Sequence, residues 1–169
     1  MTTNAKPADD TPNRDIVIRP AAAADRAFLD SLNDRLIQEA SGPGLTRENF
    51  VAFQTGYTKS ALDEPAPGSA TRIAEDRSGT KLGYIHLESH DDILSGATAG
   101  YVSILAVTAE AEGRGVATRL MEEAEGWARA RGYRFLLLDV FGSNATARRF
   151  YERKGYVADS LRLRRPIGR

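Results

Sequence analysis

The chain has 169 residues, with 23 Lys+Arg balanced by 23 Asp+Glu, so no net field draws it to nucleic acid or to an anionic membrane. It contains no cysteine, which excludes a disulfide scaffold, a thiol nucleophile and a cysteine metal site, and which fits a reducing cytoplasm. No apolar run approaches the roughly 20 residues that cross a bilayer, and the length suits one domain with a substantial core.

Met1 to Asn13 is polar, carries two prolines and no apolar core, and reads as a disordered tail rather than a signal peptide. A single domain over 14–169 is expected to follow. Asp15 to Arg19 alternates as an opening strand stopped by Pro20. Asp25 is placed to cap a helix running to about Glu39, with Phe28, Leu29, Leu32 and Leu36 on its apolar face. Ser41-Gly42-Pro43-Gly44 breaks it, and Thr46 starts a second helix with Phe50, Phe53 and Tyr57 at spacings of three and four. Two strands, Ala70 to Glu75 and Lys81 to Ser89, flank a hairpin turn at Asp76-Arg77-Ser78-Gly79. His90 to Gly100 reads as a loop of small and acidic residues. His86 and His90 share a strand face, but no third ligand accompanies them, so no metal is expected.

The segment from 101 to 156 carries the chemistry. Tyr101 to Val107 is an apolar strand, and Glu112-Gly113-Arg114-Gly115-Val116-Ala117-Thr118 opens a helix behind a glycine turn. The unpaired N–H groups of a helix's first turn and the positive end of its dipole suit a phosphate. Gly113 and Gly115, lacking a Cβ, let it approach the backbone. Val116, Leu120, Ala124 and Trp127, with Met121 and Ala128 beside them, form one buried face of that helix. A glycine turn of this kind is also a common tight turn, and the dinucleotide-binding pattern wants a third glycine where Thr118 stands. The second half reads Leu136-Leu137-Leu138-Asp139-Val140, then Asn144, Ala147 and Tyr151, with Gly155-Tyr156 closing a further helix. Asn144 is also a favoured helix cap.

Together these two segments resemble the GCN5-related N-acetyltransferase (GNAT) superfamily, whose members move an acetyl group from acetyl-CoA to an amine. The resemblance is specific over about a third of the chain. One residue departs from it: the family turn usually begins with Gln or Arg, and Glu112 stands here. The resemblance implies an α/β (α+β) fold, a mixed central sheet with a parallel strand splay flanked by helices. The C-terminal strand region also departs from the family: only fourteen residues follow Gly155 where most members have a longer two-strand hairpin, and Leu161 and Leu163 alternating against Arg162 and Arg164 read as one strand. That shortening implies an acceptor pocket more open than usual, or one completed by a second subunit in a homodimer.

The resemblance assigns Leu105, Ala106 and Val107 to the cofactor arm, with the Leu105 or Ala106 N–H as oxyanion donor. It assigns Gly113, Arg114, Gly115, Val116, Ala117 and Thr118 to the pyrophosphate, Asn144 to the cofactor arm, and Tyr151 to protonating the leaving thiolate. The general base stays open between Asp139, whose position in an apolar strand suggests burial, Glu88 and a water chain. The acceptor is a small-molecule amine or a peptide or protein amine. A non-catalytic acyl-CoA-binding or regulatory module is the alternative, and Tyr151 argues against it, since a pure binder has no need of that hydroxyl. A dinucleotide-binding oxidoreductase fails at Thr118.

Overall fold

A computed structural model describes residues 15–38, 44 and 46–167. The expected N-terminal tail and most of the Ser41–Gly44 break lie outside these residues. A five-stranded sheet organises the chain in the order β1-β2-β3-β4-β5, formed by β1 (Val17–Pro20), β2 (Ala70–Glu75), β3 (Lys81–Asp92), β4 (Ala97–Val107) and β5 (Leu136–Leu138). The first four strands pair antiparallel, and β4 pairs parallel with β5 over Gly100↔Leu136, Tyr101↔Leu137 and Val102↔Leu138. This is the mixed sheet the sequence implies.

The sheet is buried on both faces. On one, Ile85, Leu87 and Val102 pack with Val116, Leu120, Met121, Ala124 and Trp127 of α4 (Val116–Ala130), the face expected from its helical period. On the other, Ile73, Tyr84, Ile104 and Ala106 pack with Leu29, Leu32 and Ala61. Leu29 lies in α1 (Arg26–Ser31) and Leu32 just after it, where the structure divides from α2 (Asn33–Gln38) a helix that the sequence suggested as one piece. The Ser31 hydroxyl donates to the Phe28 carbonyl at 2.7 Å and the Leu32 N–H turns to Leu29; this back-bonding competes with the regular ladder and bends the chain.

Asp25 does not cap α1 through its side chain. Its buried carboxylate instead accepts from both terminal nitrogens of Arg19, from Lys81 Nζ and from the Ala22 N–H. These partners hold its pKa well below the usual carboxylate range, the Arg19 hydrogen bonds contributing most. Thr46 does cap α3 (Arg47–Leu62), accepting from the Asn49 N–H. Phe50 is buried in α3, whereas Phe53 is half exposed, so the expected apolar stripe is broken at Phe53.

Residues 90–100 do not form a loop. β3 and β4 continue as one long hairpin around a tight turn at 93–96, because the Asp92 carboxylate accepts from the Leu94 and Ser95 N–H groups and the Gly96 N–H bonds the Asp92 carbonyl. The C-terminus also departs from expectation. After α5 (Ala145–Arg153) the described chain forms no strand through residue 167, and Leu161 and Leu163 are 80% and 83% exposed. Their alternation buries neither side chain.

Candidate active site

Pairing between β4 and β5 stops at Val102↔Leu138, while β4 runs five residues further to Val107. That leaves a splayed edge. The Thr108 N–H bonds the Leu82 carbonyl at 2.8 Å, so backbone direction alternates back from it: Ala106 and Ile104 turn their polar groups to β3, Leu105 and Val107 to the splay. Two of the three expected cofactor-arm residues thus present backbone there, and Ala106 does not. Between His86 and Leu87 the β3–β4 register shifts, so that Ile104 and Val102 become successive partners and Ser103 is the extra residue of a bulge. A bulge of this kind re-aims the backbone at the point where the splay opens.

The glycine turn lies beyond the end of β4. Gly113 and Gly115 have φ of 69° and 78°, left-handed backbone that favours glycine. Gly115 is the N-cap residue of α4 and supplies no side chain, so none satisfies the N–H groups of the first turn. A Cβ built at Gly113 meets nothing within 4 Å, so the turn is open on that side. These features fit a pyrophosphate held by backbone. Thr118 is fully buried, as is Val116; their contribution to such a site is through backbone alone.

Glu112 is answered by a residue the sequence reading did not weigh. Arg35 of α2 pairs with the Glu112 carboxylate through Nη2, and its Nε donates to the Val107 carbonyl at 3.1 Å. One guanidinium thereby ties α2 to the end of the splayed strand and neutralises the single anionic side chain of the turn. Nothing local in the sequence marks Arg35, since it stands on the polar side of a short helix, 77 residues from its partner.

Asn144 caps α5, its Oδ1 accepting from the Ala147 N–H at 2.9 Å. The capping role therefore occupies the oxygen, and the amide nitrogen remains for another acceptor. Tyr151, on α5, packs edge-on against Phe150 and Tyr156, and burial pushes its phenol pKa up to about 12. It therefore stays protonated at any physiological pH and is a donor.

The remaining candidates share the sheet face opposite α4. His86 and Glu88 alternate with the core residues Ile85 and Leu87. His86 is fully buried and Glu88 is about a quarter exposed. The His86 ring bridges two groups: Nδ1 lies 2.8 Å from Thr71 Oγ1, and Nε2 lies 3.0 Å from Glu88 Oε1. Burial lowers the His86 pKa, and the Glu88 carboxylate opposes that shift. Directly across from Glu88 is Tyr101, which donates through its hydroxyl to Asp139 at 2.9 Å and stacks beside His90 at 5.2 Å between ring centroids. Asp139 itself lies past the end of β5 and is exposed, so the burial expected of it does not occur: β5 ends one residue too early. Among the described residues no group of three or more His, Asp or Glu side chains gathers in a way that could hold a metal.

The sequence matches the family model described as the acetyltransferase (GNAT) family over residues 30–156. No curated protein matches it. Among solved structures it is similar to a GCN5-related N-acetyltransferase from Ralstonia eutropha, with 21% identity and a TM-score of 0.68, covering 90% of this chain and 98% of that one. It is also similar to a ribosomal-protein-alanine N-acetyltransferase from Brucella melitensis (19%, TM-score 0.65) and to a glucosamine-6-phosphate N-acetyltransferase from Arabidopsis thaliana (16%, TM-score 0.59), each covering 90% of this chain and 99% of the other. These likenesses show a shared fold. The family model spans most of the chain, and the splayed strands and glycine turn lie within its limits: this protein belongs to the GNAT acetyltransferase family.

Proposed function

We propose that the protein is an acetyl-CoA-dependent N-acetyltransferase acting on a primary amine, supplied by a small molecule or by a peptide or protein. The observation that carries this reading is the continuity of the splayed edge at Leu105 and Val107 with the uncapped first turn of α4 behind Gly113 and Gly115. An extended arm ending in a pyrophosphate suits that shape. Acetyl-CoA supplies a thioester-activated acetyl group. The Leu105 N–H is the oxyanion donor in this reading, because Ala106 turns its own to β3. Backbone from Gly113 to Thr118, including Arg114, holds phosphate, and the Asn144 amide nitrogen reaches the cofactor arm.

Tyr151 donates the proton that the leaving thiolate needs, and Glu88 is the base. Asp139, exposed and held by Tyr101, is assigned to orienting that tyrosine. The absence of cysteine from the sequence fits a cytoplasmic setting. No helix among the described residues is long and apolar enough to cross a membrane. In this reading the acceptor side lies beside the irregular segment after α5 and is completed by a homodimer partner.

Thermal unfolding with added ligand tests the cofactor assignment. CoA at about 100 times its dissociation constant contributes about 2.7 kcal/mol, which raises Tm by roughly 5–10 °C in a chain of this size. A shift with NAD and none with CoA overturns the assignment.

A further inference from the structure

The hydrogens around His86 follow from its partners. The Ala61 carbonyl, near the C-terminal end of α3, only accepts, and the Thr71 hydroxyl lies 2.8 Å from it. Thr71 has one hydrogen, and it goes to Ala61. At 2.8 Å from His86 Nδ1 the same oxygen is then an acceptor, so Nδ1 carries the imidazole hydrogen. In the neutral ring Nε2 is left bare, 3.0 Å from a carboxylate oxygen of Glu88. Two lone-pair atoms at that distance repel unless a proton stands between them. A proton taken up by the pair stands between these two atoms and relieves that repulsion, shared by the two side chains.

We propose that His86 and Glu88 together form the proton acceptor of the reaction, with Thr71 as the positioning residue that leaves His86 Nε2 bare. This rests on the acetyltransferase reading above. The acceptor's ammonium N–H bond breaks, and its proton passes to Glu88, whose carboxylate is open to solvent on one side. The proton settles between Glu88 Oε1 and His86 Nε2, and the amine keeps the freed electron pair. Glu88 later returns the proton to solvent across its exposed edge, restoring the pair.

Several described groups lie about this pair. Among the described residues they include Tyr84 on the same strand, its phenol pKa pushed up by burial, Thr71 on β2, the Ala61 carbonyl of α3, and Tyr101 on β4 with Asp139 and His90 beyond it. Burial alone disfavours an imidazolium, and the Glu88 carboxylate is the charge that opposes this. Thr71→Val removes the acceptor at Nδ1. The neutral ring then turns its hydrogen to Nε2 and donates to Glu88, and the pair's proton affinity falls. One lost hydrogen bond corresponds to a downward shift of about one pH unit.

The test is nitrogen NMR of histidine-labelled protein in a His90→Gln background, which leaves one histidine signal. In the parent the neutral His86 is expected as the Nδ1–H tautomer. In Thr71→Val it should become the Nε2–H tautomer and titrate about one unit lower, whereas Thr71→Ser should match the parent. The acidic limb of amine-dependent CoA release from acetyl-CoA should move down with it. An Nε2–H tautomer in the parent, or an unmoved titration in Thr71→Val, overturns the proposal, as does a stationary limb where the titration shifts. Tautomer and titration as expected, with no CoA release for any amine tried, would count against the acetyltransferase reading and not against the hydrogen-bond arrangement.

Discussion

Tyr101 donates to the Asp139 carboxylate at 2.9 Å from the middle of the three-pair contact between β4 and β5. The bond links the splayed strand with the first residue beyond its parallel neighbour. Asp139 thus fixes a side chain directly across the ladder from Glu88, and its own carboxylate is exposed and already engaged. Asp139→Asn keeps an acceptor for Tyr101. We predict kcat/KM within about threefold of wild type and an unmoved acidic limb in the pH–rate profile. A displaced limb would return the role of base to Asp139.

Gly115→Asp should weaken CoA binding at least about tenfold by titration calorimetry. It places a carboxylate and a Cβ where a phosphate must meet backbone, in a left-handed conformation that glycine favours. Tyr151→Phe should bind CoA as wild type does. Equal affinity in Gly115→Asp would defeat the phosphate reading of this turn.

Arg35→Gln leaves Glu112 unpaired beside the same turn. The pair is solvent-exposed, so its loss should cost under about 1 kcal/mol of folding stability. CoA affinity should nevertheless fall by about three- to tenfold, more at low salt than at high, because a bare carboxylate repels the phosphates. Adding Glu112→Gln should restore it. Failure of the second substitution to rescue the first would show that Arg35 contributes something other than neutralisation.

Asp25 is the most heavily bonded carboxylate described, with Arg19, Lys81 and the Ala22 N–H around it. Asp25→Asn should lower unfolding stability by about 2–4 kcal/mol at neutral pH. The folded pKa is depressed, so this contribution is complete above the unfolded aspartate value near 4 and is lost as pH falls below it. Denaturant melts at pH 7 and pH 3 should show the gap between variant and wild type narrowing at the lower pH.

What was legible in the sequence was periodic or local. The buried face of α4 repeats every three to four residues, the Thr46 and Asn144 caps sit directly before their helices, and the glycine turn is contiguous. What was not legible depends on pairing at a distance. Arg35 meets Glu112 only because α2 lies against the end of β4, and Thr71 meets His86 only through the β2–β3 register. Residues 90–100 looked like a loop because their composition is small and acidic, yet Asp92 uses its acidity to close a turn and lets the hairpin continue. Asp139 looked buried because it interrupts an apolar run; the strand ends at Leu138, and the run's remaining apolar residues, Val140 and Phe141, are exposed as well.

Release of free CoA thiol from acetyl-CoA, measured from about pH 6 to 9.5 against a panel of small amines, amino acids, amino sugars and peptides, tests the central claim most directly. The account predicts amine-dependent release by the wild-type protein. It also predicts that Tyr151→Phe lowers kcat at least about tenfold with the KM for acetyl-CoA little changed, because the phenol acts only as the thiolate leaves. Binding of CoA without release for any amine in the panel, or full activity in Tyr151→Phe, would contradict it.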